Sequence, residues 1–155
     1  MRMLVLGAGL QGSACAFDLL KNPAVERVVL ADLRVGTLPA FLQPHLGGRL
    51  HTATLDVQDH AAVRALMRES TAVMSAIPYY FNLPLAQLAV ECGVHFTDLG
   101  GNTEIVLQQK GLDADAEGKG VSVVPDTGLA PGMVNVIAQL GIAQLDTVES
   151  VRLYV

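Results

Sequence analysis

Three glycines in the run Gly7-Ala8-Gly9-Leu10-Gln11-Gly12 have the spacing of a backbone cradle for a diphosphate. Each glycine has its own task there. Gly7 permits a tight turn, and Gly9 leaves room for a pyrophosphate to approach the backbone. Gly12, with the small Ala16, lets the helix it opens lie close to the preceding strand. The first-turn amides of that helix, from Leu10, Gln11 and Gly12, then face the phosphates with the helix dipole behind them. Twenty residues past Gly12 stands Asp32. A carboxylate at that offset accepts hydrogen bonds from an adenosine ribose and repels a 2′-phosphate, so it favours NAD over NADP. Arg34 pulls the other way, because an arginine nearby suits the extra phosphate. Asp56-Val57 follows a later apolar segment and has two readings, a contact at the adenine edge or a plain turn.

A second group of residues sits where strands are expected to end. These are Ser75-Ala76-Ile77-Pro78-Tyr79-Tyr80, 97–102 with Asp98, and 125–132 with Asp126. Ligands of open α/β sheets bind outside the carboxyl ends of the strands, so these runs converge on one rim. Ser75, Ala76 and Pro78 are expected against the cofactor. Asp98 and Asp126 are the acids best placed near a nicotinamide, where a carboxylate attracts an ammonium group or takes its proton. The competing reading makes each of them a cap of the helix that follows. Tyr79 and Tyr80 are candidates to pack on the nicotinamide or, equally, loop residues at a domain contact. His45, His51, His60 and His95 are scattered without metal-ligand spacing, so no metal is expected. Cys15 and Cys92 read as small buried residues rather than nucleophiles.

Positioning these groups requires an alternation of strands and helices. Short apolar runs predict strands at 3–6, 27–31, 50–55, 72–75, 94–97, 121–124 and 148–155. Helical spacing predicts helices at 11–21, 59–69, 83–91, 103–117 and 133–145, with a weak one at 36–43 broken by Pro39 and Pro44. Asp59 suits an N-cap, Gly93 a left-handed C-cap, and Gly111 interrupts the fourth of the long helices. Continuous apolar strands separated by helices give an α/β, doubly wound, mostly parallel sheet, the Rossmann fold.

The chain has 155 residues, is 51% hydrophobic and 16% charged, and carries a formal net charge of −5. So few charges exclude a disordered or coiled-coil chain, and the negative balance argues against nucleic acid as partner. Two uncharged stretches, 70–90 and 127–145, are long enough for a bilayer. Their prolines, glycines and amides favour a buried strand, a loop and a buried helix in succession, with no membrane partner. Two cysteines and no signal peptide imply the cytoplasm. The apolar last segment, with Val148, Val151, Leu153 and Val155, is expected to pair as a strand, because a free apolar edge invites aggregation. It marks residues 1–155 as one dinucleotide-binding domain of a longer protein.

The runs Gly7–Gly12, Ala76-Ile77-Pro78-Tyr79, Val94-His95-Phe96-Thr97-Asp98-Leu99 and 123–132 resemble the saccharopine dehydrogenase-like oxidoreductases, most closely the L-lysine 6-dehydrogenase branch. The saccharopine-forming members tend to carry an acid inside the Gly-Leu-x-Pro-Gly stretch, where this chain has Ala130. The resemblance implies oxidation of a carbon–nitrogen bond in an amino acid, with the lysine ε-amine giving a semialdehyde and ammonia. It also implies a further substrate-binding domain, a homodimer at full length, and little turnover by the isolated domain. Saccharopine or carboxynorspermidine dehydrogenase is the alternative within the family. A regulatory module that senses NAD is the alternative of another class.

Overall fold

A computed structural model describes residues 1–154. Six strands form one sheet: β1 (Arg2–Leu6), β2 (Arg27–Asp32), β3 (Leu50–Thr54), β4 (Ala72–Ser75), β5 (His95–Asp98) and β6 (Val123–Val124). Their order is β3-β2-β1-β4-β5-β6, and every neighbouring pair is parallel. The helices are α1 (Leu10–Lys21), α2 (His60–Arg68), α3 (Asn82–Cys92), α4 (Thr103–Lys110), α5 (Asp113–Lys119) and α6 (Met133–Ile142). The chain leaves β1 in one direction for β2 and β3 and returns to its other side for β4. The crevice at this reversal lies between the ends of β1 and β4.

Alternation along the strands divides the core between the two faces of the sheet. Leu4, Leu6, Val73 and Phe96 face one side, where Val63 and Met67 of α2 and Leu85, Ala86 and Ala89 of α3 cover them. Val5, Val28, Leu30 and Leu50 face the other, under Ala16 and Leu20 of α1. Arg49 closes the far end of α1. Its guanidinium donates to the carbonyls of Val25 at 2.8 Å and Asn22 at 3.2 Å, and to that of Leu20. Asp59 caps α2 by accepting from the amides of Ala61 and Ala62, and Gly93 ends α3 at φ +70°.

Four expectations are corrected. Residues 36–43 form no helix; Pro39 and Pro44 prevent one, and the segment contributes Leu38 and Leu42 to the second core before a short 3₁₀ turn at Gln43–His45. Strand β6 is two residues long rather than four. The Val121 amide is taken by the Ala116 carbonyl in the cap of α5, and the Ser122 amide by His95 Nδ1. Helix α6 was expected to be buried, yet none of its residues is; Met133, Val136, Ile137 and Leu140 form one stripe and are each more than half exposed. The last apolar segment adds no strand over 148–154, and Val155 lies outside the described residues. Tyr154 is 85% exposed, and β6 is too short to offer a ladder for it to join. No helix among the described residues is long and apolar enough to cross a membrane.

Candidate dinucleotide site

The glycine loop is built against the end of β4. Gly7 lies at φ +98°, and a Cβ there would come 2.7 Å from the Ala76 carbonyl oxygen and 2.9 Å from Ile77 Cγ2. Its amide donates to Ala31 O at 2.7 Å, tying the loop to β2. A Cβ on Gly12 would overlap the Gly7 carbonyl, so the first turn of α1 needs glycine to sit on the loop. Gly9 differs from both. Its φ of −71° and ψ of −169° suit any residue, and a Cβ there would meet nothing within 4 Å. Nothing in the chain's own packing demands glycine at this position, so the open space beside it is what a bound group would use. The first intrahelical bond runs from the Ser13 amide to Gly9 O, which leaves the amides of Leu10, Gln11 and Gly12 ahead of it free to bind an anion.

Asp32, the last residue of β2, takes the Ala8 amide on Oδ2 at 2.7 Å and the Arg34 amide on Oδ1 at 2.9 Å. It thus fixes both the glycine loop and the turn after β2. Each carboxylate oxygen can still accept another hydrogen bond. Beside it lies a cavity of about 260 Å³ lined by Gly7, Asp32, Asp56, Val57, Ile77 and Pro78, among others. This is about the size for one end of a dinucleotide rather than the whole. The residues present therefore fit the group: an anion-ready helix start, an uncrowded Gly9 and a carboxylate beside an apolar cleft.

Asp56 and Val57 do come to this cavity; Asp56 also holds the Gln58 amide at 2.9 Å, so the turn reading is true as well. Leu33, Leu55, Gln58 and Phe81 line it too and were not singled out from the sequence. Leu33 and Gln58 each directly follow a residue that was, and an apolar Leu33 at 59% exposure after a strand-end acid was the available signal. Larger open grooves of about 690 and 650 Å³ run along α4, α5 and α3, away from the crevice.

The rim residues separate. Ser75 is buried and donates to Asn82 Oδ1 at 2.9 Å, so its hydroxyl serves the β4–α3 joint. Ala76 lies against Gly7, and Pro78 lines the cavity. Tyr79 and Tyr80 are 42% and 57% exposed, stacked edge to face at 5.7 Å, and Tyr79 covers Gly101. Asp98 is wholly buried. Its Oδ1 accepts from the amides of Gly100 at 2.7 Å and Asp126 at 3.0 Å, and its Oδ2 from Gln109 Nε2 at 2.7 Å. Asp126 is half-buried at φ +61°, a left-handed backbone that no other non-glycine residue among those described adopts. Neither acid caps a helix: Asn102 caps α4, and Gly132 with Asn135 starts α6. Burial, and then the charge of Asp18, push the Cys15 thiol above its usual pKa, away from a reactive thiolate.

A family model described as the saccharopine dehydrogenase NADP binding domain matches residues 3–124. The chain belongs to the saccharopine dehydrogenase family. The matched residues are that family's dinucleotide-binding domain. Among solved structures, apo saccharopine dehydrogenase (L-Glu forming) from Saccharomyces cerevisiae is similar, with a TM-score of 0.70 at 23% identity over 92% of this chain. The match covers 31% of the yeast chain, so this saccharopine dehydrogenase domain spans about a third of that enzyme's length. A UDP-N-acetylglucosamine 3-dehydrogenase from Acidithiobacillus ferrooxidans gives 0.59 at 20% identity, over 91% of this chain and 43% of its own. A dTDP-glucose 4,6-dehydratase from Streptomyces venezuelae, with NAD bound, gives 0.55 at 18%, over 81% and 55%. These three likenesses share the fold with the saccharopine dehydrogenase domain.

Proposed function

We propose that this domain binds NAD across the β1–β4 crevice and serves an enzyme that oxidises the ε-amine of L-lysine. The observation that carries the cofactor reading is Asp32, locked by two backbone amides at the end of β2 beside the cavity. A fixed carboxylate there favours two ribose hydroxyls and disfavours a 2′-phosphate. NADP is the second reading, favoured by two observations. The Arg34 guanidinium forms no hydrogen bond or ion pair among the described residues, and the family model is named for NADP.

The bound nicotinamide supplies a hydride acceptor. The chain supplies the rest. The amides of Leu10, Gln11 and Gly12 hold the diphosphate, and Asp32 holds the adenosine ribose. Gly9 admits the phosphates, while Asp56, Val57, Ala76 and Pro78 wall the adenosine end. Tyr79 and Tyr80 give an aromatic surface beside the reacting end. Asp126 would attract the substrate ammonium and take its proton, and the nicotinamide would supply the acceptor for the hydride of the adjacent C–H bond. Water then adds to the resulting imine carbon, and ammonia departs to give the semialdehyde. Ala130 supports lysine over saccharopine, as the resemblance implies. The full-length protein is proposed to be a cytoplasmic homodimer.

The test is to add NAD and L-lysine to the protein in its natural length and follow reduced nicotinamide and ammonia. The two products in equal amounts support the reading. Reduction with saccharopine or carboxynorspermidine but not lysine replaces the substrate. No reduction with any amine, despite tight NAD binding, favours a sensor.

A further inference from the structure

Two acids stand at the strand ends of the rim; Asp98 is wholly buried and Asp126 half-buried. Asp98 lies on the same face of β5 as Phe96, and both are buried against the α-helical layer. Its carboxylate joins three separate segments: its own turn through the Gly100 amide, the loop after β6 through the Asp126 amide, and α4 through Gln109. Its main-chain carbonyl adds two more bonds to that loop, from the Thr127 amide at 2.9 Å and the Thr127 hydroxyl at 2.8 Å. Asp126 meanwhile holds an unfavourable left-handed backbone. Its carboxylate packs against Gly100, itself at φ +73°, where a Cβ would collide with it.

We propose that Asp98 is a positioning residue: with Gln109 behind it, its buried carboxylate fixes the left-handed backbone of Asp126 and so the direction of the Asp126 carboxylate. Its bearing on catalysis rests on the reading of Asp126 as the proton acceptor. The part-buried amides of Gly100 and Asp126 both donate to Asp98, the one acceptor that reaches both. Gln109 is itself 1% exposed; its Nε2 serves Asp98, while its Oε1 has no partner. That orphan acceptor makes a sharp test available. In Asp98→Asn the new amide oxygen still accepts from Gly100 and Asp126. The new NH2 group finds an acceptor if the Gln109 amide turns over and presents Oε1. The clamp therefore survives loss of the charge. A proton acceptor at 98 would not.

The experiment uses the 155-residue chain. Hydrogen exchange at the Gly100 and Asp126 amides and the carboxyl carbon signal of Asp126 are followed by NMR at one neutral pH. Wild type is compared with Asp98→Asn, Asp98→Ala and Asp98→Ser. Asp98→Asn is expected to keep both amide protections within about 3-fold. Asp98→Ala leaves two part-buried donors without their acceptor, and protection at both amides should fall by at least about 10-fold, with the Asp126 signal displaced. Asp98→Ser, whose shorter side chain cannot reach both amides, should lower protection at one of them at least and keeps the test alive if Asp98→Ala does not fold. An unmoved Asp126 signal in folded Asp98→Ala, or full protection of both amides in Asp98→Ser, overturns the proposal. So does an Asp98→Asn variant as damaged as Asp98→Ala. The proton-acceptor reading is tested apart from this: Asp126→Asn in the natural-length enzyme, with undiminished lysine oxidation, removes that reading alone, and the NMR comparison still decides what sets the Asp126 geometry.

Discussion

Gly9→Val separates a glycine kept for a ligand from one kept for the fold. The backbone at Gly9, φ −71° and ψ −169°, lies in the extended region that valine favours, and no atom lies within 4 Å of its Cβ position. Replacing glycine at such a site tightens the unfolded chain, so stability should hold or rise by up to about 1 kcal/mol. Binding should fare differently. The branched side chain would stand over the first-turn amides of α1 and deny the diphosphate one or two charge-assisted hydrogen bonds. At ~1.5–3 kcal/mol each, that is about 3 kcal/mol and roughly 100-fold in NAD affinity. Gly7→Val offers the contrast. Its φ of +98° and the Ala76 carbonyl 2.7 Å from its Cβ should make that variant unfold or lose several kcal/mol before any ligand is added. Titration calorimetry with NAD and a thermal melt read both effects. A folded Gly9→Val chain with wild-type NAD affinity would refute the reasoning.

Asp32→Asn should shift the ratio of NAD to NADP affinity toward NADP by about 10-fold, since removing one charge beside the 2′-phosphate is worth of order one pKa unit of interaction; an unchanged ratio in calorimetry would transfer the selectivity to Arg34. Arg49→Ala should cost about 2–3 kcal/mol by leaving the carbonyls of Leu20, Asn22 and Val25 without their donor, with NAD affinity intact; denaturant melts check it, and Arg49→Lys should recover only part because it lacks the planar fork. Asp59→Ala should lose about 1 kcal/mol, the worth of the α2 N-cap, in the same assay. Cys15, its pKa raised by burial and then by Asp18, should alkylate more slowly than a free thiol at mildly alkaline pH. The stability it contributes is full below the ordinary thiol pKa and is lost as pH rises through the raised value, which melts in a Cys15→Ser comparison would show.

The glycine loop and Asp32 were legible because their constraints are local. A turn at φ +98° and a helix seated on its own loop admit few residues, and the offset to Asp32 follows from one β-α-β unit. The parallel, doubly wound sheet followed from apolar strands alternating with helices. What escaped depends on partners distant in sequence. Leu38 and Leu42 have helical spacing, but the prolines and the second core decide their path. The alternation of Val151 and Leu153 carries no information on whether a neighbouring strand is there to receive them. Asp98 and Asp126 look alike as acids at strand ends. The period of two already set Asp98 on the buried side with Phe96, and that signal was available unused. The left-handed Asp126 had no local mark, since a three-way clamp through Gly100, Asp98 and Gln109 exists only in the folded chain.

The most direct test of the central claim is an amide-resolved NMR titration of this chain with NAD. Saturable shifts are expected at Gly9, Leu10, Gln11 and Gly12, with further shifts around Asp32, Asp56 and Val57. Saturation with those amides unmoved, or shifts confined to the grooves along α4 and α5, would contradict it.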